Sequence, residues 1–195
     1  MPVTIRTLTG PDVLAALDDL AALRITVFRD WPYLYDGDAA YEAEYLREFA
    51  AAPHAALIAA IDGGRIVGAA TASPLSAQKP EFQAPFATRG LPVSDIFYFG
   101  ESVLLPAYRG QRIGHAFFDG REAAARAAGA TQASFCAVVR PEDHPARPVD
   151  YRPLDAFWHS RGYVPLGGFV TDFSWKDVGD SDETAHPMQY WLGRL

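Results

Sequence analysis

Two glycines and two arginines stand together between residues 109 and 114, in the order Arg-Gly-Gln-Arg-Ile-Gly, where a hydrophobic run meets an amphipathic one. Glycine lets backbone amides approach a ligand closely, and arginine binds phosphate oxygens in a bidentate manner. Residues 109–112 contain no Ser, Thr, Asp or Asn that could cap a helix beginning at Ile113. The first amides of that helix therefore lack an intramolecular acceptor, and the helix dipole favours an anion there. The segment predicts a site for the diphosphate of a nucleotide-bearing cofactor.

Two other interpretations fit the same residues. In the first, Gly110 only makes a tight turn, Gly114 only allows close helix packing, and both arginines are solvated. In the second, the segment belongs to a dinucleotide-dependent enzyme. The second fits poorly, because the glycine pattern differs and no repeated strand–helix units follow it.

The elements that position this segment are a strand before it and a helix after it. Residues 96–105 are rich in aromatic and β-branched side chains, end at Pro106, and predict a central strand. A three- and four-residue spacing then predicts a helix that ends near Gly129. Its buried face comprises Ile113, Ala116, Phe117, Gly120, Ala124 and Ala127, and its opposite face Asp119, Arg121, Glu122 and Arg126.

Two motifs resemble those of the GNAT superfamily of N-acyltransferases. Val103-x-Leu105 followed by residues 109–114 resembles the acyl-CoA motif, although Arg112 replaces its middle glycine. Residues 154–163, which end in Gly-Tyr, resemble the second signature. The resemblance implies that acetyl-CoA, or another acyl-CoA, is bound by Val103, Leu104, Leu105, Arg109, Gly110, Gln111, Arg112, Ile113, Gly114, His115 and Ala116.

The resemblance also implies a fold. It predicts a GNAT-like α/β architecture, with a mixed, largely antiparallel central sheet of six to seven strands flanked by about four helices, in a single N-acyltransferase domain over residues 1–195. Periodicity places further strands at 3–8, 55–61, 66–71, 133–139, 169–175 and 188–192, and helices at 13–27 and 39–52. The long connections at 72–95 and 140–153 are candidates for lining the active site.

Candidate catalytic groups follow from the chemistry of amine acylation. Glu101 lies in an apolar strand, where burial would raise its pKa toward that of a useful general base, unless it faces solvent or pairs with an arginine such as Arg140. The resemblance implies that the backbone N–H of Leu104 polarises the thioester carbonyl. It also places a tyrosine acid four residues before Gly162, but that residue is Trp158. An indole does not release its proton near neutral pH. Tyr151 is therefore the replacement that we favour, with Tyr163 and His159 as alternatives.

Aromatic residues mixed with carboxylates mark a candidate acceptor site between the first two helices. Trp31, Tyr33 and Tyr35 could bind an ammonium group through cation–π contacts. The alternative is that these rings only cover the edge of the core. The predicted activity is direct acetyl transfer to a primary amine of a small molecule or peptide. The alternative is a non-catalytic acyl-CoA sensor or assembly subunit.

Composition limits the remaining possibilities. A net charge of −7 disfavours nucleic acid as a partner. Cys136 is the only cysteine, so an intramolecular disulfide is excluded, and it lies in neither motif. The five histidines are dispersed along the sequence and suggest no metal site. No signal-peptide h-region or 18-residue apolar run is present, so we expect a cytoplasmic protein without a membrane partner. The last strand, around Tyr190 and Trp191, is a candidate edge for a homodimer.

Overall fold

A computed structural model describes residues 3–195 and arranges them around one seven-stranded sheet. The strand order is β1-β2-β3-β4-β5-β7-β6, and every neighbouring pair is antiparallel except β4 with β5. This confirms the predicted mixed, largely antiparallel sheet. The strands are β1 (Thr4–Leu8), β2 (Ala56–Asp62), β3 (Arg65–Pro74), β4 (Ile96–Leu104), β5 (Gln132–Val138), β6 (Val164–Lys176) and β7 (Glu183–Arg194).

Six α-helices flank the sheet within residues 3–195, two more than predicted. The helix expected over 13–27 is interrupted at Ala16, whose φ of −109° and ψ of 11° are not helical. The connection at 72–95 contains a helix that begins at Pro80, where the fixed φ of proline suits a first turn. No helix of this described part is long and apolar enough to cross a bilayer. The helices are α1 (Gly10–Ala15), α2 (Leu17–Phe28), α3 (Ala39–Ala51), α4 (Pro80–Ala87), α5 (Ile113–Ala127) and α6 (Asp155–Ser160).

The last strand is not an edge of the sheet, contrary to the prediction. β7 pairs with β5 on one side and with β6 on the other. Its Tyr190 and Trp191 are buried in the core and are not available for pairing with a second copy. The edges of the sheet are β1 and β6. The sequence could not show this, because the final hairpin places the later strand inside the earlier one.

A β-bulge in β4 determines which face of the sheet each side chain occupies. Thr71 of β3 lies opposite two residues of β4, Gly100 and Glu101, because the register shifts there. Before the bulge Phe99 packs with α5, whereas after it Leu104 does. One extra residue reverses the alternation of a strand. Glu101 therefore faces α2 and α3, on the side of the sheet opposite α5.

The strands β4 and β5 separate after a short parallel ladder. They pair only from Ile96 to Tyr98, opposite residues 132–134. We call the opening between residues 99–104 of β4 and residues 135–138 of β5 the strand cleft. The amide of Leu105 donates to Val67 O at 3.0 Å, so it points toward β3. Because successive amides point to opposite edges of a strand, those of Ser102 and Leu104 point into the strand cleft.

The buried face of α5 is rotated by one residue from the prediction. Its buried side chains are Ile113, Phe117, Phe118, Arg121 and Ala125. Phe118 carries this rotation, because its ring packs against Phe99, at a centroid distance of 6.0 Å, and against other rings of the core. The prediction of Arg121 on the exposed face is therefore wrong, since this residue is only 3% exposed.

Candidate functional site

The loop before α5 presents a row of free backbone amides. Gly110 and Arg112 both adopt left-handed backbone conformations, with φ of 76° and 64°. No side chain caps the helix, as the sequence predicts. Within residues 3–195, the amides from residue 110 to residue 114 donate to no protein acceptor, whereas those of His115 and Ala116 bond to Arg112 O. Five consecutive amides at the positive end of a helix dipole offer hydrogen-bond donors of the kind that suit an anion.

The side chains around this loop leave room for a ligand. Arg109, Gln111 and Arg112 are exposed, and the buried side chain of Ile113 anchors the helix to the core. A Cβ added to Gly114 would lie 3.6 Å from Phe157, in ordinary van der Waals contact. Only a larger side chain at that position would fill the space beside the amides.

The β4 residues predicted to bind the cofactor differ in what they can offer. Val103 is fully buried against α1–α3, and the amide of Leu105 is already bonded to Val67. Leu104 presents its amide to the strand cleft. Ser102 does the same, although the sequence analysis overlooked it. The alternation of strand amides is enough to pair these two residues, since they are two positions apart.

Glu101 is held in a buried network on the far side of the sheet from α5. Its carboxylate forms an ion pair with Arg24 and accepts hydrogen bonds from Thr71 Oγ1 at 2.8 Å and Tyr45 Oη at 3.1 Å. Burial acts to raise the pKa of Glu101, but Arg24, Thr71 and Tyr45 outweigh it, and the net pKa is below its usual value. The predicted rise in pKa is therefore wrong.

Arg24 joins Glu101 to a second buried carboxylate. Its Nε donates to Glu42, and its guanidinium lies 4.4 Å from the centroid of the Tyr45 ring. Burial disfavours the charged guanidinium, yet Glu101, Tyr45 and Glu42 raise the pKa of Arg24 above its ordinary value. Two carboxylates and one guanidinium leave a net negative charge. The sequence analysis missed this network, although Arg24 falls within the apolar stripe of α2, where an exposed arginine would not be expected.

The loop that carries the predicted acceptor residues is fixed to the opposite half of the sheet. Arg140 donates to Pro32 O at 2.9 Å and to Tyr33 O at 2.7 Å, and it pairs with both carboxylate oxygens of Asp177. Tyr35 forms an isolated bridge with Asp177, next to the end of β6. Arg140 is therefore not the partner of Glu101, because it holds this loop instead.

The three predicted acceptor aromatics have different surroundings. The ring of Trp31 lies 5.0 Å from His144 and 5.9 Å from Tyr151, so residues from the 140–153 connection cover it. Tyr35 is half-buried, and burial together with Glu42 raises its pKa. Tyr33 is also half-buried. Burial raises its pKa above the ordinary range, and the electrostatic effects of Cys136 and Glu101 add to that increase.

The candidates for a general acid are also separated by the fold. Trp158 packs into the core, 5.1 Å from Phe135 and 4.9 Å from Trp191. Tyr163 is 1% exposed, and its hydroxyl is already engaged because it donates to Glu122 at 3.3 Å. His159 is exposed and contacts Trp191. Only Tyr151, which adjoins Trp31, remains near the acceptor loop.

Arg121 is a buried cation without a carboxylate partner. Its guanidinium lies 4.5 Å and 4.6 Å from the centroids of Phe99 and Phe118, and its Nε donates to Phe117 O at 3.3 Å. No ion pair within residues 3–195 involves it. Burial lowers its pKa to about 10.

Comparison with known proteins gives this architecture a family context. Residues 20–150 match the profile of the Acetyltransferase (GNAT) family. A search of curated proteins finds no match. Ribosomal-protein-alanine N-acetyltransferase from Brucella melitensis has a TM-score of 0.65 at 15% identity, over 98% of this chain and 99% of that one. An aminoglycoside 6'-N-acetyltransferase complexed with coenzyme A has a TM-score of 0.61 at 17% identity, over 100% of this chain and 97% of that one. A GNAT-family acetyltransferase from Streptococcus pneumoniae has a TM-score of 0.61 at 12% identity, over the whole of both chains. At identities this low, the similarity shows a shared fold and nothing further.

Proposed function

Because the chain belongs to the GNAT acetyltransferase family, we propose that it transfers an acetyl group from acetyl-CoA directly to a primary amine. The observation that carries this proposal is that the unpaired edge of β4 is followed along the chain by the free amides of residues 110–114. An extended arm can add to the open edge of β4 as an extra strand, while its diphosphate reaches the start of α5. The groups that this path offers fit acyl-CoA.

The roles of the backbone follow from where its amides point. Acyl-CoA, when bound, supplies an activated thioester. The amides of residues 110–114, with Arg109 and Arg112, hold the diphosphate. The N–H groups of Ser102 and Leu104 bond along the arm, and we assign polarisation of the thioester carbonyl to Leu104. A fixed donor does this without having to reorganise during the reaction.

The buried network of Glu101 favours a cationic acceptor. Glu42 and Glu101 together carry two negative charges against the single positive charge of Arg24. An ammonium group in the strand cleft would balance the remaining charge. Because the pKa of Glu101 is lowered, its carboxylate is ionised at neutral pH and attracts the protonated amine. The lowered pKa also makes Glu101 a weak general base. It therefore does not keep the proton of the amine but passes it on to solvent.

Both a small molecule and a peptide can present such an amine. One structural relative is named for an aminoglycoside and another for a ribosomal-protein alanine. The fold alone does not choose between them. We propose a primary amine on a small molecule or peptide, with the acceptor loop at Trp31 and Tyr35 forming part of its binding site.

Calorimetric titration with acetyl-CoA tests the cofactor assignment. We expect saturable binding by the wild-type chain and an affinity at least about tenfold lower for Gly114→Val, whose side chain fills the space beside the amides. Gly129→Ala is the matched control, since it alters the other end of α5, and its affinity should not change. Absence of binding to the wild-type chain in low-salt buffer contradicts the proposal.

A non-catalytic acyl-CoA sensor is the second candidate. The observation that favours it is Trp158, which occupies the position of the family's tyrosine acid and packs into the core. Release of free thiol across a panel of amines separates the two. An enzyme releases thiol with at least one amine, whereas a sensor binds acetyl-CoA and releases none.

A further inference from the structure

Tyr33 bridges the two halves of the sheet on the side opposite α5. Its ring packs 4.8 Å from Phe28, at the end of α2, and 5.9 Å from Trp175 of β6, in the half that contains β5. Phe28 in turn lies 5.2 Å from Arg24, the partner of Glu101 on β4. A ring in contact with both halves therefore lies beside the strand cleft.

The titratable neighbours of Tyr33 agree with this placement. Cys136 of β5 and Glu101 of β4 both contribute to the rise in its pKa, so both lie within electrostatic range. The side chain of Cys136 faces the same side of the sheet as Tyr98, whose Oη lies 3.0 Å from its Sγ. Tyr33 therefore lies within electrostatic range of both strands that border the proposed thioester site.

The backbone of Tyr33 is fixed, while its hydroxyl is unengaged. Its carbonyl accepts from Arg140 Nη2 at 2.7 Å and from Trp175 Nε1 at 3.1 Å. No hydrogen bond within residues 3–195 involves its hydroxyl. The neighbouring phenols are already engaged, since Tyr45 donates to Glu101 and Tyr98 contacts Cys136.

We propose that the hydroxyl of Tyr33 donates a hydrogen bond to the leaving sulfur, a role that rests on the acyl transfer proposed above. In that reaction the amine nitrogen bonds to the carbonyl carbon, the carbon–sulfur bond breaks, and the sulfur leaves with the electron pair. The ammonium group first releases one proton to solvent, the neutral amine loses a second as the amide forms, and the sulfur of CoA finally takes up one. The atoms and charges balance without any further reactant.

Tyr33 stabilises the thiolate and keeps its own proton. Burial first, and then Cys136 and Glu101, raise the pKa of Tyr33 above 10, whereas a free thiol has a pKa of about 8.5. Transfer of the phenolic proton to the sulfur is therefore uphill, while donation of a hydrogen bond to it is favourable. This role is independent of the tyrosine acid that the family resemblance places at position 158, where this chain has a tryptophan.

The test compares the binding of CoA with that of desulfo-CoA at pH 9, where part of the thiol of free CoA is ionised. Calorimetry gives both affinities for the wild-type chain, Tyr33→Phe and the matched control Tyr41→Phe, whose ring is 61% exposed on α3. We expect Tyr33→Phe to lower the ratio of CoA affinity to desulfo-CoA affinity about tenfold, as for a hydrogen bond to a charged partner. Its affinity for desulfo-CoA and the ratio for Tyr41→Phe should not change.

The outcomes separate this proposal from the proposed function. A wild-type chain that binds neither ligand refutes the acyl-CoA site and, with it, the role of Tyr33. A wild-type chain that binds both, with an unchanged ratio in Tyr33→Phe or an equal loss of the ratio in Tyr41→Phe, refutes only the role of Tyr33. If Tyr33→Phe does not fold, the pKa of the thiol of CoA bound to the wild-type chain still tests the proposal. A bound thiol that ionises no more readily than the free one overturns the proposal.

Discussion

Removal of Arg24 leaves two buried carboxylates without the guanidinium that they share. The side chains of Glu42 and Glu101 are 1% and 8% exposed. Breaking a buried ion pair by removing one partner costs about 3–5 kcal/mol. At roughly 2–4 °C per kcal/mol for a chain of this size, Arg24→Met should unfold about 6–20 °C below the wild type. Circular dichroism during heating at pH 7 measures this difference.

A matched control separates burial from the loss of charge. Arg47 is 53% exposed on α3 and pairs with Glu44 at 2.9 Å. An exposed pair contributes little, so Arg47→Met should change the free energy of unfolding by less than about 1 kcal/mol. A similar loss in both variants would show that burial of the Arg24 network has no special effect.

The pH dependence of the same variant should change sign. In the wild type the folded-state pKa of Glu101 lies below its usual 4.5, so its stabilising contribution is present above that value and is lost as pH falls through the folded-state pKa. Without Arg24, burial dominates and raises the folded-state pKa above the unfolded value. The stability of Arg24→Met should then increase as pH falls from 7 toward 4.5. A loss below about 1 kcal/mol, or a pH slope like that of the wild type, would refute the reasoning.

Two further substitutions test the unusual arginines just before α5 and within it. Arg112→Gly should raise the free energy of unfolding by about 1 kcal/mol in urea, because its φ of 64° is costly for any residue with a Cβ; unchanged or lower stability would show that this conformation is not strained. Arg121→Met should raise the melting temperature by a few degrees. A pKa lowered from 12.5 to about 10 corresponds to a cost of about 3 kcal/mol, which its two aromatic contacts offset only in part; a lower melting temperature would mean that the guanidinium has a stabilising partner.

The sequence predicts those features that depend on neighbouring residues. Pro106 ends β4, and the absence of a capping residue leaves the start of α5 open, because both effects act within one turn of the chain. The partner of Glu101 could not be predicted, because Arg24 meets it only after the bulge at Gly100 turns the carboxylate toward α2. Arg121 was misplaced because a rotation of α5 by one residue exchanges exposed and buried positions. Such rotation depends on how Phe118 packs against distant strands.

The central claim is that acyl-CoA lies along the open edge of β4 and ends at the start of α5. Backbone amide resonances of the isotopically labelled chain, followed by NMR during titration with CoA, test it most directly. The largest shifts should fall on the amides of residues 110–114 and on those of Ser102 and Leu104. The amide of Leu105, which is bonded to Val67, should shift much less. Shifts confined to other parts of the chain, or none at saturating CoA, would contradict this account.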